Sequence, residues 1–233
     1  AVADAQANTT LPRKTGIGAA ALNTESYRLG DEWGKRAVTA ESLRQARPEF
    51  RRAALAAAQV GGGTGFYLGK FAGFHVMATN HHVYPSVSEC TSRVIRFPLL
   101  GVQANCQRIL GSWDEIDLAI FTIRVSPQDE AKLAPVAGNF AFREDVKAGQ
   151  QLLTIGYGTA GNFGRQNTMA NEDSDCYVFS RDGEYRLLAD PDQWNPADYR
   201  AWSFALGCDV SHGDSGSAIV DRATSKVVGI IWT

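Results

Sequence analysis

Gly61-Gly62-Gly63-Thr64-Gly65-Phe66-Tyr67-Leu68-Gly69 marks the point where the chain changes texture. From here on, short runs rich in aromatic and β-branched residues alternate with Gly, Pro, Asn and Asp. The runs are Thr64–Gly69, His75–Thr79, Arg93–Phe97, Cys106–Leu110, Leu118–Val125, Gln151–Ile155, Cys176–Ser180, Tyr185–Leu188, Trp202–Leu206, Ser217–Val220 and Val227–Trp232. Many short strands at such spacing predict an all-β sandwich or barrel. The strandless stretch Ser126–Val146 divides the set about in half, which fits two small barrels. Upstream, residues 1–38 show no sustained periodicity and read as an arm or pro-like segment. Thr39 then stands as an N-cap with Glu41 in the first turn, predicting a short helix through Ala46 that ends before Pro48. Phe50–Val60 reads two ways: its alanines favour helix, yet Leu55–Val60 also suits a strand of small residues.

The 233 residues allow one large domain or two small ones, enough to bury a core without a metal. A formal net charge of -2, from 23 basic and 25 acidic residues, offers no footprint for nucleic acid or an anionic membrane. No apolar run approaches the roughly 20 residues that a membrane-spanning helix needs. Four cysteines, Cys90, Cys106, Cys176 and Cys208, contain no Cys-x-x-Cys pair, which argues against a zinc ribbon or a redox motif. Sequential pairing would close loops of 16 and 32 residues, contributing ~3 and ~3.7 kcal/mol by loop-closure entropy. Four buried free thiols are the alternative. Ala1-Val2-Ala3-Asp4 fits a secreted chain after signal removal and a cytosolic chain equally.

Gly213-Asp214-Ser215-Gly216-Ser217 is the sharpest chemical signal. A serine between glycines can sit on a tight turn that exposes its hydroxyl and aims successive amides into one hole. Taken alone, the string also suits a plain turn. A serine nucleophile needs a base, and the base an orienting group. The histidines are His75, His81, His82 and His212. Two of them follow an apolar strand in Thr79-Asn80-His81-His82-Val83, where an imidazole at a strand end can face a cleft. His75, at the start of that strand, reads as structural, and His81 as an exposed turn residue. Asp117 heads the apolar run Leu118-Ala119-Ile120-Phe121, where a carboxylate is costly unless paired.

Together these segments resemble the chymotrypsin-like serine peptidases, in particular the bacterial branches of glutamyl endopeptidases and high-temperature-requirement proteases. Their Thr-Asn-x-His-Val matches Thr79–Val83. Their Asp-hydrophobic-Ala-hydrophobic matches Asp117–Ile120, and their Gly-x-Ser-Gly-Ser matches Gly213–Ser217. Their Gly-Thr-Gly-Phe strand matches Gly63–Phe66. The order His, Asp, Ser is also theirs, and the resemblance covers about residues 50–233. It implies a double six-stranded Greek-key β-barrel preceded by an arm with a short helix. On that basis residues 1–49 are the arm, 50–125 a first barrel carrying His and Asp, and 126–233 a second carrying Ser, as one catalytic unit. It further implies catalytic His82, Asp117 and Ser215, an oxyanion hole at the Gly213 and Ser215 amides, and a polypeptide substrate. A secreted or periplasmic monomer with no cofactor and no metal is the corresponding expectation.

The chain also departs from the family. Animal digestive members pair a freed terminal amine with the aspartate before the serine. No Ile-Val-Gly-Gly stands at a suitable distance before His82, so Asp214 needs another cation or water. Asp209, six residues before Ser215, sits where trypsin-like members select Arg or Lys, though bacterial relatives carry an acidic residue there without that preference. His212 either touches substrate or is an exposed loop residue. Ile231, before Trp232, replaces the histidine that glutamyl endopeptidases use against glutamate. Two alternatives stand beside the peptidase: a catalytically silent binding module on the same fold, and a latent protease held inactive by the arm. Metal binding through His75, His81 and His82 is disfavoured by their facing. Deleting residues 1–38 is expected to leave a folded domain.

Overall fold

In a computed structural model of the chain, residues 26–27, 34–136, 145–158, 167–189 and 200–232 are described. Residues 1–25 and 28–33 of the arm, part of the strandless stretch (137–144) and Thr233 lie outside the described residues. The arm contributes strands β1 (Ser26–Tyr27) and β2 (Lys35–Ala37), followed by helix α1 (Ala40–Gln45). The predicted cap is present. Thr39 Oγ1 accepts from the Ser42 amide at 3.0 Å, and Ser42 Oγ accepts from the Thr39 amide at 2.8 Å. The return bond of this capping box thus comes from serine, while Glu41 lies beside it in the first turn. Pro48 both closes off α1 and opens helix α2 (Pro48–Ala56), because proline's fixed φ and missing N–H suit the first helical position. The ambiguous segment resolves into both of its readings. Helix α2 buries Phe50, Ala54 and Ala56, and strand β3 (Ala57–Val60) follows directly.

Strands β3, β4 (Gly63–Phe71), β5 (Phe74–Thr79), β6 (Val94–Phe97), β7 (Val102–Trp113) and β8 (Leu118–Arg124) close an antiparallel barrel in the order β3-β4-β5-β8-β7-β6. Its interior holds Tyr67, Met77, Ile95, Phe97, Val102 and Phe121. Strand β6 alternates exposed and buried positions, the period-2 pattern of a strand with one face inward. A helix that the strand pattern had not signalled, α3 (Val87–Ser92), is capped by Ser86 and stapled to β7 by the Cys90–Cys106 disulfide. Helix α4 (Pro127–Leu133) and a 3₁₀ turn, Ala134–Val136, occupy the strandless stretch and add Leu133 and Val136 to the barrel core.

The second half comprises β9 (Leu152–Gly156), β10 (Met169–Asn171), β11 (Arg186–Ala189), β12 (Arg200–Ser203), β13 (Val210–Ser211), β14 (Ala218–Asp221) and β15 (Val227–Ile230). Among the described residues its main sheet has five strands, β15-β14-β9-β10-β2, joined by the ribbons β11–β12 and β1–β13. Among the described residues, this sheet and the two ribbons are what is seen of the expected second six-stranded barrel, and strand β2 of the sheet comes from the arm. The predicted strand Cys176–Ser180 is reduced to isolated bridges, Gln151↔Tyr177 and Val178↔Leu206, beside the Cys176–Cys208 disulfide. Both cysteine pairs are therefore the sequential ones.

The two halves share one core. Phe66, Leu68, Val76 and Ala78 on the barrel's outer face pack with Leu153, Ile155, Tyr157, Ala218 and Val220 of the sheet, and with Val38 and Phe50. Apolar surface buried between halves holds them as one unit, since burial contributes roughly 25 cal/mol per Å² removed from water. No helix among the described residues is long and apolar enough to cross a membrane.

Candidate active site

Antiparallel pairing of β5 with β8 sets Thr79 opposite Ala119, which brings the turn after β5 against the turn before β8. His82 and Asp117 meet there. The His82 amide donates to Asp117 Oδ1 at 3.0 Å, and His82 Nδ1 lies 2.9 Å from Asp117 Oδ2. A carboxylate can only accept, so Nδ1 carries the proton and Nε2 is left as the acceptor. Asp117 is fully buried, and both its oxygens are engaged by His82, which offsets the cost of taking the charge from water. Its backbone has φ +47°, a left-handed conformation that Asp and Asn tolerate better than most residues. Buried Asn80 fixes that conformation by donating from Nδ2 to the Asp117 carbonyl at 2.9 Å.

The other two histidines of this region take different partners. His81 Nδ1 is 2.7 Å from Ser112 Oγ on β7. His75 Nδ1 lies 2.7 Å from the Tyr67 hydroxyl, and its Nε2 is 3.6 Å from Glu130 on α4. Burial lowers the His75 pKa, outweighing the attraction of Glu130, and pushes the Tyr67 hydroxyl up to about 12. Three separate partners explain why these rings do not converge. Among the described residues no group of three or more His, Cys, Asp or Glu is arranged to hold a metal.

Ser215 lies on the turn between β13 and β14, with Gly213 at φ +98° and Gly216 at φ +88°. At Gly216 a Cβ would fall 1.8 Å from the Thr64 carbonyl oxygen, so only glycine allows the turn to press against β4. The contact is tied down by hydrogen bonds. The Thr64 amide donates to the Ser215 carbonyl at 2.7 Å, and Thr64 Oγ1 donates to the Gly213 carbonyl at 2.8 Å. Thr79 Oγ1 in turn donates to the Thr64 carbonyl at 2.7 Å. Thr64 and Thr79 therefore link the serine turn to the strand that leads into His82. A Cβ on Gly63 would touch both the Ser215 carbonyl oxygen, at 2.7 Å, and Val83 Cγ2, at 3.1 Å, which places the serine turn beside the residue after His82.

The remaining expected site residues surround this turn. Buried Ile231 bonds it through its backbone: the Gly216 amide donates to the Ile231 carbonyl at 2.8 Å, and the Ile231 amide donates to the Ser217 carbonyl at 2.9 Å. Trp232 Nε1 donates to Ser203 Oγ at 2.7 Å. His212 is exposed at the start of the turn. Asp209 is buried and accepts from the Gly34 amide at 2.6 Å. The cation beside Asp214 is Lys35, from the arm, with both side chains buried. Sequence reasoning passed over Lys35, Thr64, Thr79 and Asn80. Asn80 stood inside the histidine motif, whereas Lys35 carried no local signal, because its partner lies 179 residues away.

A closed antiparallel barrel, a buried aspartate paired with an exposed histidine at one end, and a glycine-containing serine turn pressed against β4 define the architecture of a trypsin-type hydrolase domain. A family model described as trypsin-like peptidase domain matches residues 63–230, and the chain belongs to that family. It is similar in fold to the Rv3671c protease in an inactive form, at 22% identity and a TM-score of 0.52, covering 79% of this chain and 81% of that one. An inactive serine-to-alanine mutant of Rv3671c from M. tuberculosis H37Rv aligns at 20% identity and a TM-score of 0.50, with the same coverage. Deg5 aligns at 16% identity and a TM-score of 0.48, covering 83% and 86% of the two chains. No curated protein sequence matches at a significant level.

Proposed function

We propose that the protein is a serine endopeptidase that cleaves polypeptides through an acyl-enzyme intermediate. In this reading Ser215 Oγ attacks the scissile carbonyl while His82 Nε2 takes its proton and later returns it to the leaving amine. Asp117 holds His82 in the tautomer that leaves Nε2 able to accept, and stabilises the imidazolium as it forms. The amides of Asp214, Gly216 and Ser217 donate to the Ser211, Ile231 and Asp214 carbonyls. The neighbouring amides of Gly213 and Ser215 are the pair assigned to the oxyanion. The observation that carries the reading is the fully buried Asp117 carboxylate with both oxygens engaged by His82.

Asp209, His212, Ile231 and Trp232, which lie around the serine turn, are assigned to substrate binding. Two disulfides suit an oxidising compartment, supporting a secreted or periplasmic location. A fluorophosphonate probe tests the chemistry. The expected result is one adduct, at Ser215, with Ser215→Ala losing roughly 10⁴–10⁶-fold in turnover. A folded wild-type chain that never labels under any condition would instead favour the silent binding module.

A further inference from the structure

Three contacts from the arm converge on the few residues before Ser215. Strand β1 pairs with β13, Ser26 opposite Ser211 and Tyr27 opposite Val210. The Gly34 amide donates to Asp209 Oδ2 at 2.6 Å. Lys35 Nζ pairs with Asp214 Oδ2, with side-chain exposures of 2% and 4%. Strand β2 sets this lysine in place by antiparallel pairing with β10, Lys35 opposite Asn171, and the Val38 amide extends the contact to the Thr168 carbonyl at 2.8 Å. Gly34 is also constrained. A Cβ there would fall 1.5 Å from Asp173 Oδ2 and 2.6 Å from Asn171 Nδ2, so any larger residue requires both of these side chains to move aside.

Asp214 is the hub of the serine turn. Besides Lys35 it accepts from the Ser211 amide at 2.8 Å, the Gly158 amide at 3.0 Å and Ser211 Oγ at 3.1 Å. Its own amide and carbonyl bond Ser211 and Ser217 within the turn. A buried carboxylate deprived of its cation is strongly unfavourable and moves toward water. Here it cannot move alone, because its backbone bonds carry Gly213 and Ser215 with it.

We propose that Gly34 and Lys35 form a built-in latch on the active site, with Lys35 as a positioning residue that holds the Gly213–Ser215 turn through Asp214. The inference rests on the serine-peptidase reading, and it makes the arm an activating element. It departs from the idea of an arm that holds a latent protease inactive. Nothing need be cut to create the cation, since a lysine side chain supplies it from within the chain.

The test compares wild type, Lys35→Met and Arg36→Met in the full chain. Arg36 is exposed on the same strand and serves as the control. Two quantities are read: the rate of fluorophosphonate labelling per folded molecule, and amide exchange across residues 209–217. Lys35→Met is expected to label roughly 10²–10³-fold more slowly, the scale of losing an oxyanion donor, with every folded molecule eventually labelled. Amide exchange at 209–217 should rise at least about tenfold, the scale on which local opening is distinguished from global unfolding, while β5 and β8 stay unchanged. Arg36→Met should match wild type in both.

Unchanged exchange at 209–217 overturns the latch. So does a uniform rise across the molecule with wild-type labelling of the surviving folded fraction, which would make Lys35 a stabilising residue only. If wild type itself fails to label, the peptidase reading fails, and the exchange comparison still decides the latch. If Lys35→Met does not fold, Lys35→Met/Asp214→Asn strands neither charge. That variant is expected to fold with slow labelling, and wild-type labelling by it overturns the proposal.

Discussion

Asp117→Asn isolates the orienting carboxylate with little disturbance of the backbone. Asn tolerates the φ of +47° at this position at least as well as Asp, and it has the same size and shape. The side-chain oxygen of Asn can keep the bond from the His82 amide, now 3.0 Å long. Its NH₂ then faces His82 Nδ1, where a carboxylate oxygen accepts at 2.9 Å. Two donors cannot share that bond, so the imidazole shifts its proton to Nε2, the nitrogen that the proposed mechanism requires to accept from Ser215. The turnover expected to be lost is about 10⁴-fold, the scale for losing the orienting carboxylate of such a triad. That corresponds to about 5.4 kcal/mol of transition-state stabilisation. The assay is the second-order rate of fluorophosphonate labelling near neutral pH, with the thermal midpoint as a control for folding. A loss under about tenfold in a folded variant would refute this division of roles between Asp117 and His82.

Two further outcomes follow from the contacts around the site. Thr64→Val keeps the shape of a buried side chain but removes its donation to the Gly213 carbonyl and its acceptance from the Tyr157 amide. Stability should fall by about 1–3 kcal/mol for each group stranded, read by urea unfolding, with slower Ser215 labelling. His75 gives a pH dependence of known sign. Burial holds its pKa below the ordinary histidine value, so the unfolded chain binds the proton first as pH falls. Its stability contribution is complete above that ordinary value of about 6.5 and is lost as pH drops toward the lowered folded pKa. Urea unfolding at a series of pH values should therefore show a shallower acid-side slope in His75→Gln than in wild type, and identical slopes would remove His75 from the account.

Much of the barrel was legible because a strand with one buried face announces itself locally. Runs such as His75–Thr79 and Leu118–Val125 carry their β-branched residues next to the turn residues that end them. The helix at Thr39 was equally local, since a cap and the first turn lie within four residues. Phe50–Val60 was undecidable on its own because alanine packs acceptably in either form. Burial of Phe50 and Ala54 against the shared core chose helix first, and pairing of Ala57–Val60 with β4 then chose strand. Cys176–Ser180 had strand propensity, yet the disulfide to Cys208 and the two isolated bridges held it in irregular structure. Met169–Asn171 is too short for periodicity to show, and its strand exists only because β9 and β2 flank it.

The candidate site divides along the same line. His82, Asp117 and Ser215 could be named from the sequence because each sits in a short pattern set by local backbone needs: a turn after an apolar strand, a carboxylate entering one, and a serine between glycines. Separating His82 from His81 by contact required the tertiary structure, since only the pairing of β5 with β8 determines which ring meets the carboxylate. Lys35 was beyond the reach of any local pattern. A lysine in an arm reads as solvated until the fold lays that arm along β10 and buries the ammonium beside Asp214. Sequence by itself determined which residues are candidates for the chemistry, because side-chain types and short turns are local properties. Tertiary structure decided which groups are paired and held, because burying a charge depends on partners that only the folded chain brings together.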